Sequence, residues 1–199
     1  YRFIEAGYGF RGNLFDYART LVRGTAEKDK PNTERLREFR ETALPRVEQQ
    51  LFAEVPIYPE YEQLLLSFSL DKLREWLGPD DDTVQAVLGR ESPGKLAARL
   101  IDGSDLADPE LRRKLWQGGA AAVAAADDPL LVLARKIDAE ARALRSRYED
   151  EVEAVLDSAS EQIALARFAI GGTDGTQTPL SPCGSVTAAW PGGMNTAPR

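Results

Sequence analysis

The feature that most constrains the fold is a long stretch without helix breakers. Between Pro129 and Gly171 the sequence contains no further glycine or proline. Asp128 and Pro129 begin it as a capping residue followed by proline at the first helical position, where the missing N–H has no helical partner to lose. About 40 residues at ~1.5 Å each would form a helix of roughly 60 Å. Its apolar stripe consists of Leu130, Leu133, Ile137, Ala141, Leu144, Tyr148, Val155, Ala159 and Ile163.

The preceding sequence also has apolar residues at helical spacing. One helix is predicted over the stripe from Leu14 to Val22, with Asn13 as its cap and Gly24 as its end. A second is predicted after a cap at Asn32 or Thr33, and Pro45 inside it predicts a break or a kink. Its apolar positions are Leu36, Phe39, Ala43, Val47 and Leu51.

Four further helices have recognisable starts or ends. A helix from Tyr58 to Leu77 follows two prolines, and Asp82 precedes a short helix from Thr83 to Leu88. Ser92-Pro93 begins a helix to Ile101, while Asp108-Pro109 begins one that should stop at Gly118-Gly119. Since no strand alternation precedes residue 171, we predict an all-α, bundle-like domain over residues 1–170. We predict an unstructured tail over residues 171–199.

Composition excludes several kinds of catalytic and metal-binding site within this sequence. The sequence has no histidine, so Ser-His-Asp and Cys-His centres and histidine-containing zinc or di-iron sites cannot form within it. The well-mixed charges sum to −7, which disfavours nucleic acid and anionic membranes as partners. No apolar run approaches the ~20 residues that span a bilayer. We predict no catalytic, cofactor-binding or metal-binding residue and no cofactor.

The remaining candidates have structural interpretations that we favour. Carboxylates at Asp80, Asp81 and Asp82 could bind a cation, but they fit better as caps of a following helix. The acidic run from Glu149 to Glu153 could form a metal-binding or acid–base group, but it fits better as the solvent-exposed face of a helix. The glycines from Gly7 to Gly12 indicate a turn rather than a nucleotide loop. The aromatic residues at helical spacing are expected in the core: Tyr61, Trp76 and Trp116.

Two segments resemble a known family. "ARTLVRGTAEKDKPNTERLREF" (residues 18–39) is similar to a helix, a "KP-x-x-ER" turn and a second helix in the dipeptidyl-peptidase 7/11 family of bacterial serine peptidases. "DDPLLVLARKIDAEARALRSRYEDEVEAVL" (residues 127–156) resembles the last long helix of that family's helical domain, and "ARFAIGGTD" (residues 166–174) resembles its "ARFAVYGT" ending.

The charge-poor tail fits this resemblance when its reading frame is shifted by one nucleotide. In the family a strand of the kind "YPDATFTLRLSYG" follows the long helix. Joining the third base of each codon to the first two bases of the next allows Tyr at Gly175–Thr176 and Pro at Thr176–Gln177. The junctions onward to Val186 and Thr187 allow Asp-Ala-Thr-Phe-Thr-Leu-Arg-Leu-Ser-Tyr. We therefore interpret the tail as an out-of-frame translation of a strand.

The resemblance implies a parent that releases dipeptides from the N-termini of peptides. Its catalytic part would be a chymotrypsin-like double β-barrel, with the helical domain inserted between the halves and covering the cleft. The triad His and Asp would precede this insert and the Ser would follow it, so no catalytic residue carries over. The resemblance also implies an asparagine that helps to bind the amino terminus of the substrate. Its position in the family corresponds to a point upstream of Tyr1, and Asn13 does not match it.

On this basis we expect the chain to be a piece of the helical domain that begins inside a larger protein and is inactive alone. The resemblance implies peptide substrates, a periplasmic or secreted location and possible dimerisation for the parent. The alternative is an independent helical interaction module that offers its long helix to a partner.

Overall fold

The computed structural model describes residues 10–171 and contains no strand in that range. The predicted all-α class is confirmed. The expected unstructured tail began at Gly171, which instead is the last residue of the final described helix, and its other residues lie outside the described range. None of the described helices is both long and apolar enough to cross a membrane. The helices are α1 (Asn13–Lys28), α2 (Leu44–Leu51), α3 (Pro59–Leu77), α4 (Asp82–Leu88), α5 (Pro93–Asp102), α6 (Pro109–Ala125), α7 (Pro129–Tyr148) and α8 (Ala154–Gly171).

The chain divides after Val155 into two units. In the first, α1 packs against α6 and α7, and α3 packs against α5. One apolar cluster joins these helices, and burial of its large side chains is the main stabilising contribution. Its least exposed members include Phe10, Leu14, Phe15, Leu21, Leu66, Leu70, Leu73, Leu106, Leu130 and Leu131.

Both predicted boundaries of α1 are wrong. The residue before the helix is Gly12, at a φ of 137°, and Asn13 is the first helical residue. The Glu62 carboxylate of α3 accepts the Leu14 N–H at 3.2 Å, so a distant side chain replaces the local cap. Gly24 does not end the helix, which continues to Lys28. A Cβ built on Gly24 would lie 2.4 Å from the Trp116 ring, so this glycine permits close packing.

The second predicted helix is mostly wrong. Two short 3₁₀ turns, Asn32–Glu34 and Arg37–Phe39, occupy its first half. Only α2 is α-helical, and Pro45 lies in its first turn rather than at a kink. The physical reason is that proline has no N–H to donate, which is harmless in the first turn of a helix and disruptive further in.

The other start predictions are closer. Helices α3, α5, α6 and α7 all carry proline in their first turn. Asp81, rather than Asp82, caps α4 by accepting the Thr83 and Val84 N–H groups. The predicted stop near Gly118-Gly119 corresponds to a break at Gly119, at a φ of 71°, after which helical structure resumes as far as Ala125.

The long helical stretch is present but is not one regular α-helix. A π turn over Glu149–Glu153 separates α7 from α8. The predicted stripe is buried in its first half, through Ala141, whereas every residue from 154 to 170 is exposed. Val155 and Ile163 are 61% and 52% exposed, so the second half of the predicted apolar stripe is exposed.

Candidate functional site

A buried ionic cluster joins α1 to α7. Glu27 is fully buried and accepts hydrogen bonds from Lys30 Nζ at 2.7 Å and from the Leu36 N–H at 2.7 Å. Its Oε1 also accepts from Arg142 Nη1 at 2.7 Å. Burial raises the pKa of Glu27, but the donors Lys30, Leu36 and Arg142 outweigh it and hold the pKa below its usual 4.5. Glu27 therefore stays ionised at neutral pH and holds these three donors together.

The same cluster continues along α7 through Asp138. Its two carboxylate oxygens accept from Arg23 Nε at 2.5 Å and from Arg142 Nε at 2.6 Å. Alternating charges then run Arg23, Asp138, Arg142 and Glu27, so each buried charge has an opposite neighbour. Such pairing is the condition under which buried charges are tolerated. The cluster therefore ties α1 to α7.

An open cavity of about 530 Å³ lies beside the π turn. Arg145 extends into a bridge between Glu38, at 2.5 Å, and Glu149, at 2.6 Å. Burial opposes the charge on Arg145, but the two carboxylates outweigh it and raise the arginine pKa. For Glu38, burial raises the pKa, but the hydrogen bonds from Arg145 outweigh burial and lower the pKa. The residues that line the cavity are Arg37, Glu38, Arg145, Glu149 and Glu153.

A smaller cavity of about 130 Å³ is lined in part by Asp16, a carboxyl whose pKa is raised above its usual value. Its lining residues are Asp16, Tyr17, Thr20, Val47, Gln50 and Leu51. About half of the Asp16 side chain is exposed, yet partial burial raises its pKa. The Arg19 guanidinium, 3.0 Å away, lowers the pKa, and the Glu62 carboxylate raises it.

A carboxyl with a raised pKa is a common sign of acid–base function. The neighbouring Tyr17 has a structural contact, since the Arg112 guanidinium carbon lies 4.1 Å from the centre of its ring. The arrangement lacks a nucleophile paired with a base, which acyl transfer requires.

The acidic candidates from the sequence occupy structural positions. Asp81 Oδ1 accepts the Thr83 N–H at 2.9 Å and the Val84 N–H at 3.2 Å, which is capping geometry. In the acidic run, Glu149 pairs with Arg145 and Glu151 pairs with Arg147. Within residues 10–171, no three carboxylate or thiol side chains form a group that could hold a metal ion.

The aromatic candidates separate into two kinds. Trp116 is buried as expected, donates its indole N–H to Glu48 at 2.8 Å, and has Lys28 over its ring at 4.5 Å. Tyr61 and Trp76 were expected in the core, but they are 55% and 60% exposed. The reason is that α3 buries the other side of its circumference, through Glu62, Leu66, Ser69, Leu70 and Leu73.

Sequence reasoning missed the three charged residues with the most structured surroundings: Glu27, Glu62 and Arg112. Arg112 is 1% exposed and donates to the carbonyls of Leu51, Ala53, Leu106 and Ala107 at 2.6–2.9 Å. Burial lowers its pKa. Each of these residues is followed by another charged or polar residue (Lys28, Gln63 and Arg113), so nothing local distinguishes it from a solvated neighbour. Its partners come from distant positions.

Comparison with known proteins adds what the geometry does not supply. The sequence model of the peptidase S46 family matches residues 1–196. No curated protein matches the chain.

Proposed function

The chain belongs to the peptidase S46 family, that of dipeptidyl-peptidases 7 and 11, and on this premise we propose that it is a helical part of a serine dipeptidyl-peptidase. In that role it covers the active-site cleft of the parent and has no peptidase activity alone. The observation that carries the proposal is that the sequence belongs to a peptidase family but contains no histidine. A serine peptidase of this kind needs an imidazole to take the serine proton.

The proposed mechanism places all bond-making outside this chain. A serine of the parent attacks the peptide carbonyl, a histidine takes its proton and returns it to the leaving amine, and an acyl-enzyme is hydrolysed. The helical part contributes by restricting access to extended peptides with a free amino terminus and by limiting water. Its ionic cluster around Glu27 supports that role, since a cover must hold one shape to select among substrates.

The partners follow from the same proposal. Peptides are the substrates of the parent, the location is periplasmic or secreted, and the parent can dimerise. Exposed apolar side chains on α8, including Leu156, Ile163 and Phe168, support contact with further protein. They equally favour the second candidate, an independent module whose helix binds a separate partner.

Activity assays test the first part of the proposal. We expect the purified chain to release no dipeptide from reporter substrates with a free N-terminus. A matched preparation of an active serine dipeptidyl-peptidase establishes that the assay detects turnover. Hydrolysis by this chain that co-purifies with it and responds to serine-peptidase inhibitors would contradict the proposed lack of a triad.

The reading-frame hypothesis belongs to the same account and concerns residues outside the described range. The family match extends to residue 196, across the tail as printed. Sequencing the gene across the codons for Gly171 to Ala188 tests the hypothesis. We expect one inserted or deleted nucleotide relative to a frame that encodes the family strand, whereas an intact frame through this region would refute the shift.

A further inference from the structure

The cavity of about 130 Å³ is lined by one side of α1 and one side of α2. On α1, Thr20 follows Asp16 by four positions and Tyr17 by three, so the three side chains share one side of the helix. The α2 residues that line the cavity are Val47, Gln50 and Leu51. Since a cavity of ~150 Å³ can hold benzene, this space accommodates a molecule of about four to six non-hydrogen atoms.

Two hydroxyl groups that line this cavity have no protein partner in the described part of the chain. Tyr17 is 9% exposed, and neither its hydroxyl nor that of Thr20 forms a hydrogen bond with residues 10–171. Within the same range, every fully enclosed side-chain nitrogen or oxygen has a partner. The Tyr17 oxygen therefore reaches the space of the cavity, where a bound molecule can supply the hydrogen bond.

The Asp16 carboxylate supplies a third oxygen. Its Oδ1 accepts from Arg19 Nη2 at 3.0 Å, whereas its Oδ2 has no hydrogen-bond partner among residues 10–171. Partial burial raises the pKa of Asp16, Arg19 offsets this effect only in part, and Glu62 acts in the same direction as burial. The ionised carboxylate is therefore stabilised by a second positive partner. Since a carboxylate can only accept hydrogen bonds, that partner must also be a donor.

We propose that this cavity binds a small primary ammonium ion that carries a short apolar chain. An ammonium group has three N–H donors and no acceptor, which matches the oxygens of Asp16, Tyr17 and Thr20. Its carbon atoms lie against Val47 and Leu51, the apolar side of the cavity. Such binding does not depend on the proposed role in a peptidase.

An NMR titration of the full chain with propylammonium chloride, at neutral pH and constant ionic strength, tests the proposal. For so small a ligand we expect a Kd of about 0.1–10 mM. Propan-1-ol keeps the apolar chain but lacks the charge, and propionate reverses the charge, so both should bind at least about ten-fold more weakly. The proposal is overturned if propylammonium does not bind, or if either comparison compound binds equally well.

The same chemistry can come from a free amine or from the side chain of a lysine in another protein. Nα-acetyl-lysine amide, which carries only the side-chain ammonium, distinguishes the two sources. Tighter binding of this compound than of propylammonium supports the site and assigns it to a protein lysine. Weaker binding supports the site and assigns it to a free small amine.

Three variants test whether these side chains hold the ligand. Tyr17→Phe keeps the ring against Arg112 and Thr20→Val keeps the volume, so each removes one oxygen and should raise the Kd at least about three-fold. Asp16→Asn removes the charge and should raise the Kd at least about ten-fold. Asp29→Asn changes an exposed carboxylate just beyond α1 and should leave the Kd unchanged. Thermal denaturation shows which variants are folded, and any one folded cavity variant suffices for the test. A cavity variant that binds propylammonium as tightly as Asp29→Asn does would contradict the site.

Discussion

At the scale of single residues, buried charges with distant partners define much of this chain. Glu27, Glu62 and Arg112 are each about 1% exposed or less, and each bonds to groups contributed by another segment. The sequence could predict which apolar residues lie inside, because their spacing is visible locally. It could not predict these charged residues, since each also needs a partner 48–115 positions away in the sequence.

Arg112 provides the sharpest test at this scale. Replacing it by methionine retains apolar volume but leaves four backbone carbonyls without their donors. We expect Arg112→Met to lower the free energy of unfolding by about 3–5 kcal/mol. Arg113→Met, one position further along, removes a mainly solvated pair with Glu110 and should cost less than ~1 kcal/mol. Urea denaturation of both variants gives the comparison, and equal losses would contradict the buried role of Arg112.

Glu27 makes stability depend on pH. Its pKa in the folded chain lies below 4.5, so its contribution is complete above pH 4.5 and is lost as the pH falls through the lowered folded value. We expect Glu27→Gln to destabilise the chain by about 2–4 kcal/mol at pH 7. The difference from the parent chain should shrink between pH 4.5 and pH 3. Urea denaturation across this range measures it, with the exposed Glu110→Gln as control. A difference that stays constant or grows on acidification would contradict the linkage.

At the scale of elements, start signals were more informative than stop signals. Proline after a capping residue correctly indicated the beginnings of α5, α6 and α7, because the proline ring restricts the backbone locally. Gly24 was misread as an end because a glycine that terminates a helix and a glycine that makes room for a neighbour look the same in sequence. Only the position of Trp116 separates the two cases.

A pair of glycine substitutions tests this distinction. Helix propensity alone predicts that Gly24→Ala stabilises α1 by up to ~1 kcal/mol. Contact with the Trp116 ring and with Phe39 predicts a loss of about 1–3 kcal/mol instead. Gly94→Ala in α5 meets only Ser67 Oγ at 3.7 Å and should stabilise by about 0.5–1 kcal/mol. Thermal denaturation decides between them, and stabilisation by both alanines would show that Gly24 has free space around it.

At the scale of the whole molecule, the sequence could predict the helical class and the family, but not a site. Helical periodicity from Leu14 to Ala141 reports a core directly, which is why the fold class could be read without a structure. No catalytic site could be predicted, for a physical reason. Catalysis by a serine peptidase needs groups from several segments, and the required imidazole is absent from these 199 residues. Tyr61 and Trp76 of α3 were wrongly assigned to the core for a related reason, since spacing reveals an apolar face and not what covers it.

The tail gives a prediction for the intact chain. If residues after Asp174 are an out-of-frame product, no core was selected to receive them. Ordering each residue costs about 1–2 kcal/mol of backbone entropy, and a segment with few large apolar residues cannot offset that cost. Deleting residues 175–199 should leave the Tm of the helical part unchanged. A drop of several degrees in a thermal melt would mean that the tail packs specifically, and the frame hypothesis would lose its physical support.

The most direct test of the account is the sequence of the gene on both sides of the region that encodes this chain. We expect a barrel-encoding region with a histidine and an aspartate of the triad upstream. We also expect a barrel-encoding region with the nucleophilic serine downstream, in a different frame from the tail. A start codon and a stop codon that bracket these 199 residues, with neither region nearby, would contradict the account and favour an independent helical module.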